Sequence, residues 1–271
     1  MGCCSSRGVG SELWDDLAVL TPGVFRVTSA TSPALREAVD VVTGAFSGTA
    51  TTQPELGFDW CLGDRCAGKW EDPFRIASIR WIVRLVHLMT FRAGPEQAVL
   101  CAREPGSDAI AAVAVVHHCA SPPSELGVWW RAMRTVLCTD IGDPPWMKDK
   151  RIAARMESND SEIARMHVKH TKSSKRHIYV QMLGVRPESQ GKKMASLLMR
   201  AVNAAADRIG VPCYLETSGA RNVEVYRRFG YEPVERVRLV DPAGGASFDE
   251  FYALVRPPTN REHPRSASSS D

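Results

Sequence analysis

The segment HIYVQMLGV, His177–Val185, is the feature that most constrains the fold of this chain. It is an apolar run of the length expected for a buried strand, and a polar loop follows it directly. Beyond that loop, apolar residues recur at helical spacing at Met194, Leu197, Leu198, Ala201, Ala205 and Ile209. A helix with one such apolar face packs on a sheet. The sequence therefore predicts a strand, a short loop and a helix that covers the same sheet.

The loop that joins this strand to this helix, SQGKKMA, predicts an anion site. We expect the first helical turn around Gln190 to Ala195, where four backbone N–H groups lack intrahelical partners and the macrodipole is positive. Gly191 allows close backbone approach, and Lys192 and Lys193 add charge at an end where cations are otherwise disfavoured. Neither GxxxxGK[ST] nor GxGxxG is present, so the loop alone leaves a phosphate cradle and an ordinary helix start both open.

The order of the other elements predicts one α/β domain with a largely antiparallel sheet. Strands are expected at residues 24–30, 97–104, 109–118, 177–185, 211–217, 234–240 and 248–256. Helices are expected at residues 32–46, 73–92, 124–137, 147–170 and 221–230, besides the helix already described. We place an N-terminal linker at residues 1–22, the domain at 23–256 and a disordered tail at 257–271.

The chain begins MGCCSS, which is typical of N-terminal acylation. Removal of Met1 would expose Gly2 for myristoylation, and Ser6 stands where that pattern has a small hydroxyl residue. One myristoyl chain binds membranes only marginally, so palmitate on Cys3 or Cys4 would supply the second signal. We expect attachment to the cytoplasmic face of a membrane; the alternative is an unmodified, flexible terminus.

Composition and charge argue against several other classes of function. A net charge of +3 is too small to indicate nucleic acid as the main partner, and no nucleic-acid-binding motif is present. The eight cysteines are scattered and follow no secretory signal, so reduced thiols are expected. His117, His118 and Cys119 are adjacent, but neighbours on a strand point to opposite faces, so no metal is expected. The most apolar helical run, residues 79–89, is shorter than the ~20 residues of a membrane span.

The loop and the segment after it resemble the GCN5-related N-acetyltransferase (GNAT) family. Members carry a strand and then Q/R-x-x-G-x-G/A, which opens the helix that holds the pyrophosphate of acetyl-coenzyme A. Here the match is QGKKMA, with Gln190 first, Ala195 last and Lys193 where the family usually has glycine. The resemblance implies a mixed, largely antiparallel central sheet flanked by helices, and acetyl-coenzyme A as co-substrate.

The downstream segment GVPCYLETSGARNVEVYRRFGYEPV is similar to the second half of the same family. The matching positions are Asn222, Tyr226, Gly230 and Tyr231, and the phrase from YLETS to GY is most similar to the puromycin N-acetyltransferase subgroup. The resemblance is close over residues 177–235 and patchy over residues 24–176.

The resemblance also assigns roles to cofactor-binding residues. It implies that the backbone of Leu183, Gly184 and Val185 binds the pantetheine arm. It implies that the pyrophosphate is held by Gln190, Gly191, Lys192, Lys193, Met194 and Ala195. Asn222 and Tyr226 share a helical face, so both can border the same cofactor.

The chemistry of thioester aminolysis indicates the catalytic residues. Coenzyme A thiolate leaves more readily when a hydroxyl donates a proton, and Tyr226 is the matching acid. Glu216 is the candidate base, because a carboxylate in an apolar strand calls for an explanation; a salt bridge to a neighbouring arginine is the alternative. His177, expected at the exposed start of a strand, is a weaker candidate. Glu55, Asp59 and Trp60 are expected to shape an amine pocket, although Trp60 would suit the core equally well.

The sequence therefore predicts direct acetyl transfer from acetyl-coenzyme A to a primary amine, a small molecule by resemblance to the subgroup, at a membrane surface. Two alternatives remain at this point. The first is a membrane-tethered acyl-coenzyme A sensor or scaffold without turnover, which Lys193 favours and the retained Asn222 and Tyr226 oppose. The second is an acetyltransferase that acts on protein lysines.

Overall fold

A single sheet of seven strands organises the chain, of which the computed structural model describes residues 9–66, 68–94, 96–120, 125–174 and 176–259. The strands are β1 Val24–Arg26, β2 Gln97–Arg103, β3 Ile110–Cys119, β4 His177–Val185, β5 Cys213–Ser218, β6 Glu232–Leu239 and β7 Phe248–Arg256. Their order in the sheet is β1-β2-β3-β4-β5-β7-β6, and every neighbouring pair is antiparallel except β4 and β5. The predicted α/β fold with a largely antiparallel sheet is confirmed.

Helices cover both faces of this sheet. They are α1 Val9–Leu20, α2 Pro33–Ser47, α3 Leu56–Leu62, α4 Pro73–Ala93, α5 Glu125–Leu137, α6 Lys150–Thr171, α7 Met194–Ile209 and α8 Ala220–Arg227, with short 3-10 turns at Gly63–Arg65 and Pro187–Ser189. Helices α1, α7 and α8 pack on one face. Helices α2, α4 and α6 pack on the other. Apolar burial on both faces explains why the central strands are apolar along their whole length.

The parallel pair β4 and β5 is joined over a short distance. Pairing is confined to Ile178 with Cys213 and Tyr179 with Tyr214, at the start of both strands. Beyond these pairs the two strands diverge, while β4 stays paired with β3 as far as Val185. The sheet therefore opens between β4 and β5 at their carboxyl ends.

The expected N-terminal linker is wrong for Val9–Leu20, which forms α1. Leu13, Trp14 and Leu17 are buried in the core that α1 shares with α7, and the Trp14 indole donates a hydrogen bond to the Glu96 carbonyl at 3.0 Å. Burial of three large apolar side chains stabilises a helix that has a weak sequence signal of its own.

A second unexpected helix, α3, lies in a segment for which no helix was predicted from the sequence. The Glu55 side chain accepts a hydrogen bond from Phe58 N at 2.6 Å and so caps this helix. Glutamate is not a preferred N-cap residue, which explains why the helix start was not evident in the sequence. The first strand is also shorter than expected, since it ends at Arg26.

The predicted C-terminal tail begins with an ordered contact. Thr259 donates to Asp207 from its backbone nitrogen at 2.8 Å and from its hydroxyl at 2.6 Å. Residues 260–271 of the predicted tail lie outside the described residues. In the described part of the chain, no helix combines the length and the apolar character that crossing a bilayer requires.

Candidate functional site

The gap between β4 and β5 is the centre of the candidate site. Because the two strands are parallel, their carboxyl ends lie at the same edge of the sheet. The loop after β4 leads to α7, and Gly219 after β5 leads to α8. Ligands of α/β proteins bind outside the carboxyl ends of strands, at points where the connections diverge. The topology thus brings together the two segments that carry the sequence motifs.

The β4 backbone presents polar groups to this gap at alternate residues. Arg186 N donates to the Ala111 carbonyl in the β3 direction at 2.8 Å, so the N–H and C=O groups of Leu183 and Val185 point the other way, towards the gap. Gly184 instead faces β3. A Cβ at Gly184 would lie 3.1 Å from Val42 Cα, so this glycine allows close packing against α2.

The predicted helix start is displaced by a few residues. Helix α7 begins at Met194 rather than around Gln190, because Gly191 (φ +80°) and Lys193 (φ +65°) adopt left-handed backbone conformations. In the described part of the chain, backbone N–H groups without a hydrogen bond follow one another at Gly191, Lys193, Met194, Ala195 and Ser196. A Cβ at Gly191 would meet no atom within 4 Å, so open space adjoins these donors. Such a series of N–H groups at a helix start is suited to bind phosphate oxygens.

The two lysines of this turn differ in their contacts. Lys192 Nζ donates to both carboxylate oxygens of Glu104 at 3.0 Å. Among the described residues Lys193 has no ion-pair partner, and its side chain is exposed. Lys193 is the sole non-glycine residue of the described chain with positive φ, which explains why a glycine suits this position of the motif.

Glu216 is a partly buried residue on β5. Its Oε1 is inaccessible to solvent and makes no hydrogen bond among the described residues. Burial raises the pKa of Glu216 to about 7, although the nearby hydroxyls of Tyr179 and Tyr214 favour the ionised form. No arginine lies in an ion pair with Glu216 in the described chain, so the salt-bridge alternative is not supported.

Tyr226 lies on α8, directly after the end of β5. Its side chain is partly buried against the core, and its ring contacts that of Tyr231 at a centroid distance of 5.9 Å. Burial, and secondly the negative charge of Glu55, raise the pKa of Tyr226 above its ordinary value. The hydroxyl is therefore protonated at neutral pH. Asn222 lies one turn earlier, and its Nδ2 donates to the Ser218 carbonyl at 2.9 Å, which braces the turn from β5 into α8.

Glu55, at the start of α3, contacts the end of β5 close to Tyr226. Ser218 at the end of β5 donates its hydroxyl proton to Glu55 Oε1, and Leu56 N donates to the Ser218 hydroxyl at 3.1 Å. Burial raises the pKa of Glu55, while the hydrogen bonds from Ser218 and the α3 backbone oppose this rise. Ser218 was not predicted as a partner of Glu55, because the two residues are distant along the chain.

Asp59 and Trp60 are engaged in contacts that hold the fold together. Asp59 forms an ion pair with Arg75, whose side chain is fully buried and also donates to the Ser47 carbonyl at 3.0 and 3.1 Å. The Trp60 indole donates to the Ala246 carbonyl at 2.7 Å and so contacts the loop between β6 and β7.

His177 is fully buried rather than exposed as expected. Its Nε2 lies 2.8 Å from Nε2 of His167, and burial lowers the pKa of His177 to about 4. A base of such low pKa is a weaker proton acceptor than Glu216. The predicted acylation sites Gly2, Cys3 and Cys4 lie outside the described residues.

Comparison with known proteins agrees with this geometry. Residues 152–233 match the family model described as an acetyltransferase (GNAT) domain. This match confirms the acetyltransferase resemblance, and it does not single out the puromycin N-acetyltransferase subgroup.

Solved structures with the same fold cover nearly the whole domain. The C-terminal condensation domain of Ebony, in complex with beta-alanyl-dopamine, has a TM-score of 0.52 at 9% identity over 86% of this chain and 97% of that chain. An arylalkylamine N-acetyltransferase 7 of the yellow fever mosquito has a TM-score of 0.51 at 13% identity over 86% of this chain and 93% of that chain. At these identities the two neighbours show the fold alone.

Proposed function

We propose that this protein, which carries a GNAT acetyltransferase domain and is an acetyl-coenzyme A-dependent acyltransferase, transfers the acetyl group directly to a primary amine. The observation that carries this proposal is the partly buried Glu216, whose Oε1 is inaccessible to solvent and whose pKa of about 7 suits a base that accepts a proton at neutral pH. It lies on β5 at the gap between β4 and β5, and the protonated Tyr226 lies on the helix that follows the same strand.

Glu216 and Tyr226 together can carry out the proton transfers that the reaction requires. Glu216 takes one proton from the ammonium form of the acceptor, and the neutral nitrogen then attacks the acetyl carbonyl carbon. As the C–S bond breaks, the Tyr226 hydroxyl donates its proton to the departing sulfur, and the remaining extra proton on nitrogen restores the hydroxyl. The products are the amide and the free thiol, and the proton on Glu216 passes to solvent.

The residues at the gap fit acetyl-coenzyme A. Leu183 and Val185 offer backbone donors and acceptors that can pair with the amide groups of the pantetheine arm. The unpaired N–H groups of Gly191 and of residues 193–196 offer donors for the pyrophosphate, and the exposed Lys193 adds a positive charge beside them.

The acceptor is proposed to be a small cationic amine, which rests on the resemblance to the puromycin N-acetyltransferase subgroup. Among the three acceptor-side candidates, Glu55 is the one whose charge acts on Tyr226. Asp59 is neutralised by Arg75, and Trp60 contacts the Ala246 carbonyl. Glu55 is therefore the residue that we assign to the ammonium group.

Thiol release from acetyl-coenzyme A, measured with a panel of small amines and with lysine peptides, tests this function. We expect Glu216→Gln and Tyr226→Phe to lower kcat by roughly 10²- to 10⁴-fold, the range for loss of one acid or base. The matched controls are Glu232→Gln, on an exposed side chain, and Tyr252→Phe, both of which should retain activity. Cofactor binding without release for any acceptor would refute the enzyme in favour of a sensor, and turnover of peptides alone would refute the small-molecule acceptor.

We also propose that Gly2 is myristoylated and that Cys3 or Cys4 is palmitoylated, on the basis of the MGCCSS terminus. Metabolic labelling with alkyne analogues of the two fatty acids would test this. We expect Gly2→Ala to abolish both labels and release the protein from membranes, since palmitoylation follows membrane contact. The double variant Cys3→Ser/Cys4→Ser should retain the myristoyl label and lose stable attachment. Absence of both labels in the wild type would refute the proposal.

A further inference from the structure

Three potential metal ligands converge at the end of the β3–β4 ladder. Cys119 and His177 are directly opposite each other in that ladder, and His167 approaches from the last turns of α6. One ligand atom of each residue lies within 4.8 Å of the other two. These residues are distant from one another in the chain or belong to different elements, so their proximity is a product of the fold.

The two imidazoles meet through the atoms that would bind a metal. Nε2 of His167 lies 2.8 Å from Nε2 of His177, and both rings are buried. A tetrahedral zinc ion with Zn–N distances of about 2.0–2.1 Å separates two ligand nitrogens by roughly 3.3 Å. A shift of about half an ångström by the two rings would therefore admit the ion, as estimated from those bond lengths.

Neighbouring aromatic rings hold His167 in this orientation. Its ring stacks on that of Tyr214, with centroids 4.9 Å apart and planes inclined by 13°, and lies 4.4 Å from that of Tyr179. Pre-oriented imidazoles lose little freedom when they bind a metal. Cys119 is partly accessible, so solvent reaches the cluster from its side.

We propose that Cys119, His167 and His177 bind a zinc ion, with the thiolate and two imidazole nitrogens as three of four tetrahedral ligands and a water molecule as the fourth. A mixed set of one sulfur and two nitrogens is typical of zinc, and hard oxygen-seeking cations such as Mg²⁺ are disfavoured. Binding replaces the thiol proton, which is released to solvent.

The ion would join α6 to β3 and β4 beside the two residue pairs that connect β4 with β5. Ile178, which is in one of these pairs, directly follows His177. Zinc at this position is expected to stabilise the folded domain.

Cobalt(II) titration of the full-length, reduced, metal-stripped protein tests the site. The wild type should bind one equivalent, with thiolate-to-cobalt charge-transfer absorption and the d–d bands of a tetrahedral ion, and zinc should displace both. In Cys119→Ser the charge-transfer absorption should disappear, and zinc affinity should fall by at least about 100-fold, beyond the 10- to 100-fold effect of outer-shell changes. The matched control Cys138→Ser, at an exposed cysteine outside the cluster, should behave as wild type.

A second variant separates loss of the metal site from loss of the fold. His177→Gln keeps a polar side chain at the strand start and should lose tetrahedral cobalt absorption while circular dichroism stays native. Zinc should raise the Tm of wild type and leave the Tm of Cys119→Ser unchanged. The zinc site would be overturned if the wild type showed no charge-transfer absorption or bound copper(I) alone. It would also be overturned if charge-transfer absorption survived in Cys119→Ser or tetrahedral cobalt absorption survived in His177→Gln.

Discussion

Ser218, the last residue of β5, donates its hydroxyl proton to Glu55, the residue that caps α3. The same hydroxyl oxygen accepts a hydrogen bond from Leu56 N at 3.1 Å. A strand end beside the candidate site is thereby connected to α3, which carries the predicted acceptor-side residues Asp59 and Trp60.

Removal of the Ser218 hydroxyl should weaken this connection. Ser218→Ala leaves the partly buried Glu55 carboxyl without one of its donors, so we expect a loss of about 1–3 kcal/mol in the free energy of unfolding. Ser158→Ala is the matched control, because the Ser158 hydroxyl is exposed and bonds the Val240 carbonyl at 3.3 Å. Equal denaturation midpoints for the two variants would contradict this assignment.

Glu55 and Asp59 should respond differently to neutralisation. Glu55→Gln removes the charge assigned to the ammonium group, so the KM of a cationic amine should rise about tenfold, equivalent to 1.4 kcal/mol, with a smaller effect on kcat. Asp59→Asn leaves the fully buried Arg75 unpaired and should cost about 3 kcal/mol of stability. Steady-state kinetics and chemical denaturation of both variants distinguish the two roles; a larger KM effect from Asp59→Asn would reverse the assignment.

The raised pKa of Glu216 predicts a pH-dependent stability. Its folded-state pKa of about 7 exceeds the ordinary value of 4.5, so the contribution of this group to stability is complete below about pH 4.5 and is lost as pH rises through 7. Glu216→Gln does not ionise, so its stability relative to wild type should increase by up to about 3 kcal/mol between pH 4 and pH 8, at 1.36 kcal/mol per pKa unit. Urea denaturation across this range, with Glu232→Gln as control, measures the difference. A parallel pH dependence of the wild type and Glu216→Gln would show that Glu216 titrates normally.

Ionisation of Glu216 should also control turnover. The base acts as the carboxylate, so kcat of the wild type should rise with pH and level off above about pH 7. The residual kcat of Glu216→Gln should not show this rise with pH. A wild-type profile that is flat between pH 5 and pH 8 would exclude Glu216 as the base.

Replacement of Lys193 by glycine should increase the stability of the folded protein. An L-residue in the left-handed region costs about 1–2 kcal/mol, and glycine avoids this cost while losing about 0.5–1 kcal/mol of backbone entropy. Lys193→Gly should therefore raise stability by up to about 1 kcal/mol and weaken acetyl-coenzyme A binding through its lost charge. Lys172→Gly, where φ is −58°, should destabilise. Thermal denaturation and calorimetry check both parts, and a destabilised Lys193→Gly would contradict the strain.

Patterns that repeat along one segment were predicted well. The bounds of His177–Val185 and Phe248–Arg256 were predicted to the residue, because each is an apolar or alternating run ended by a loop. Helix α2 begins within one residue of the predicted position, because Ser32 caps it and Pro33 occupies its first position. In these segments local periodicity and capping agree with the final packing.

Features that depend on tertiary contacts were missed. Helix α1 is stabilised by the burial of Leu13, Trp14 and Leu17, and no local sequence pattern predicts this burial. From the adjacent residues His117, His118 and Cys119 no metal was expected, whereas the fold brings His167 and His177 close to Cys119. The displaced start of α7 follows from left-handed backbone at Gly191 and Lys193, and for a lysine the residue type does not reveal this conformation.

The junction between β4 and β5 is narrow, with only two residue pairs, and leaves the rest of the β4 edge open to the proposed cofactor. In the proposed binding mode the pantetheine arm would take the place of a missing strand segment, so cofactor binding would add to the free energy of unfolding. At a ligand concentration 100 times the Kd, this linkage amounts to about 2.7 kcal/mol. The amide protons of Leu183 and Val185 are consequently the ones whose exchange with solvent should slow most when the site fills.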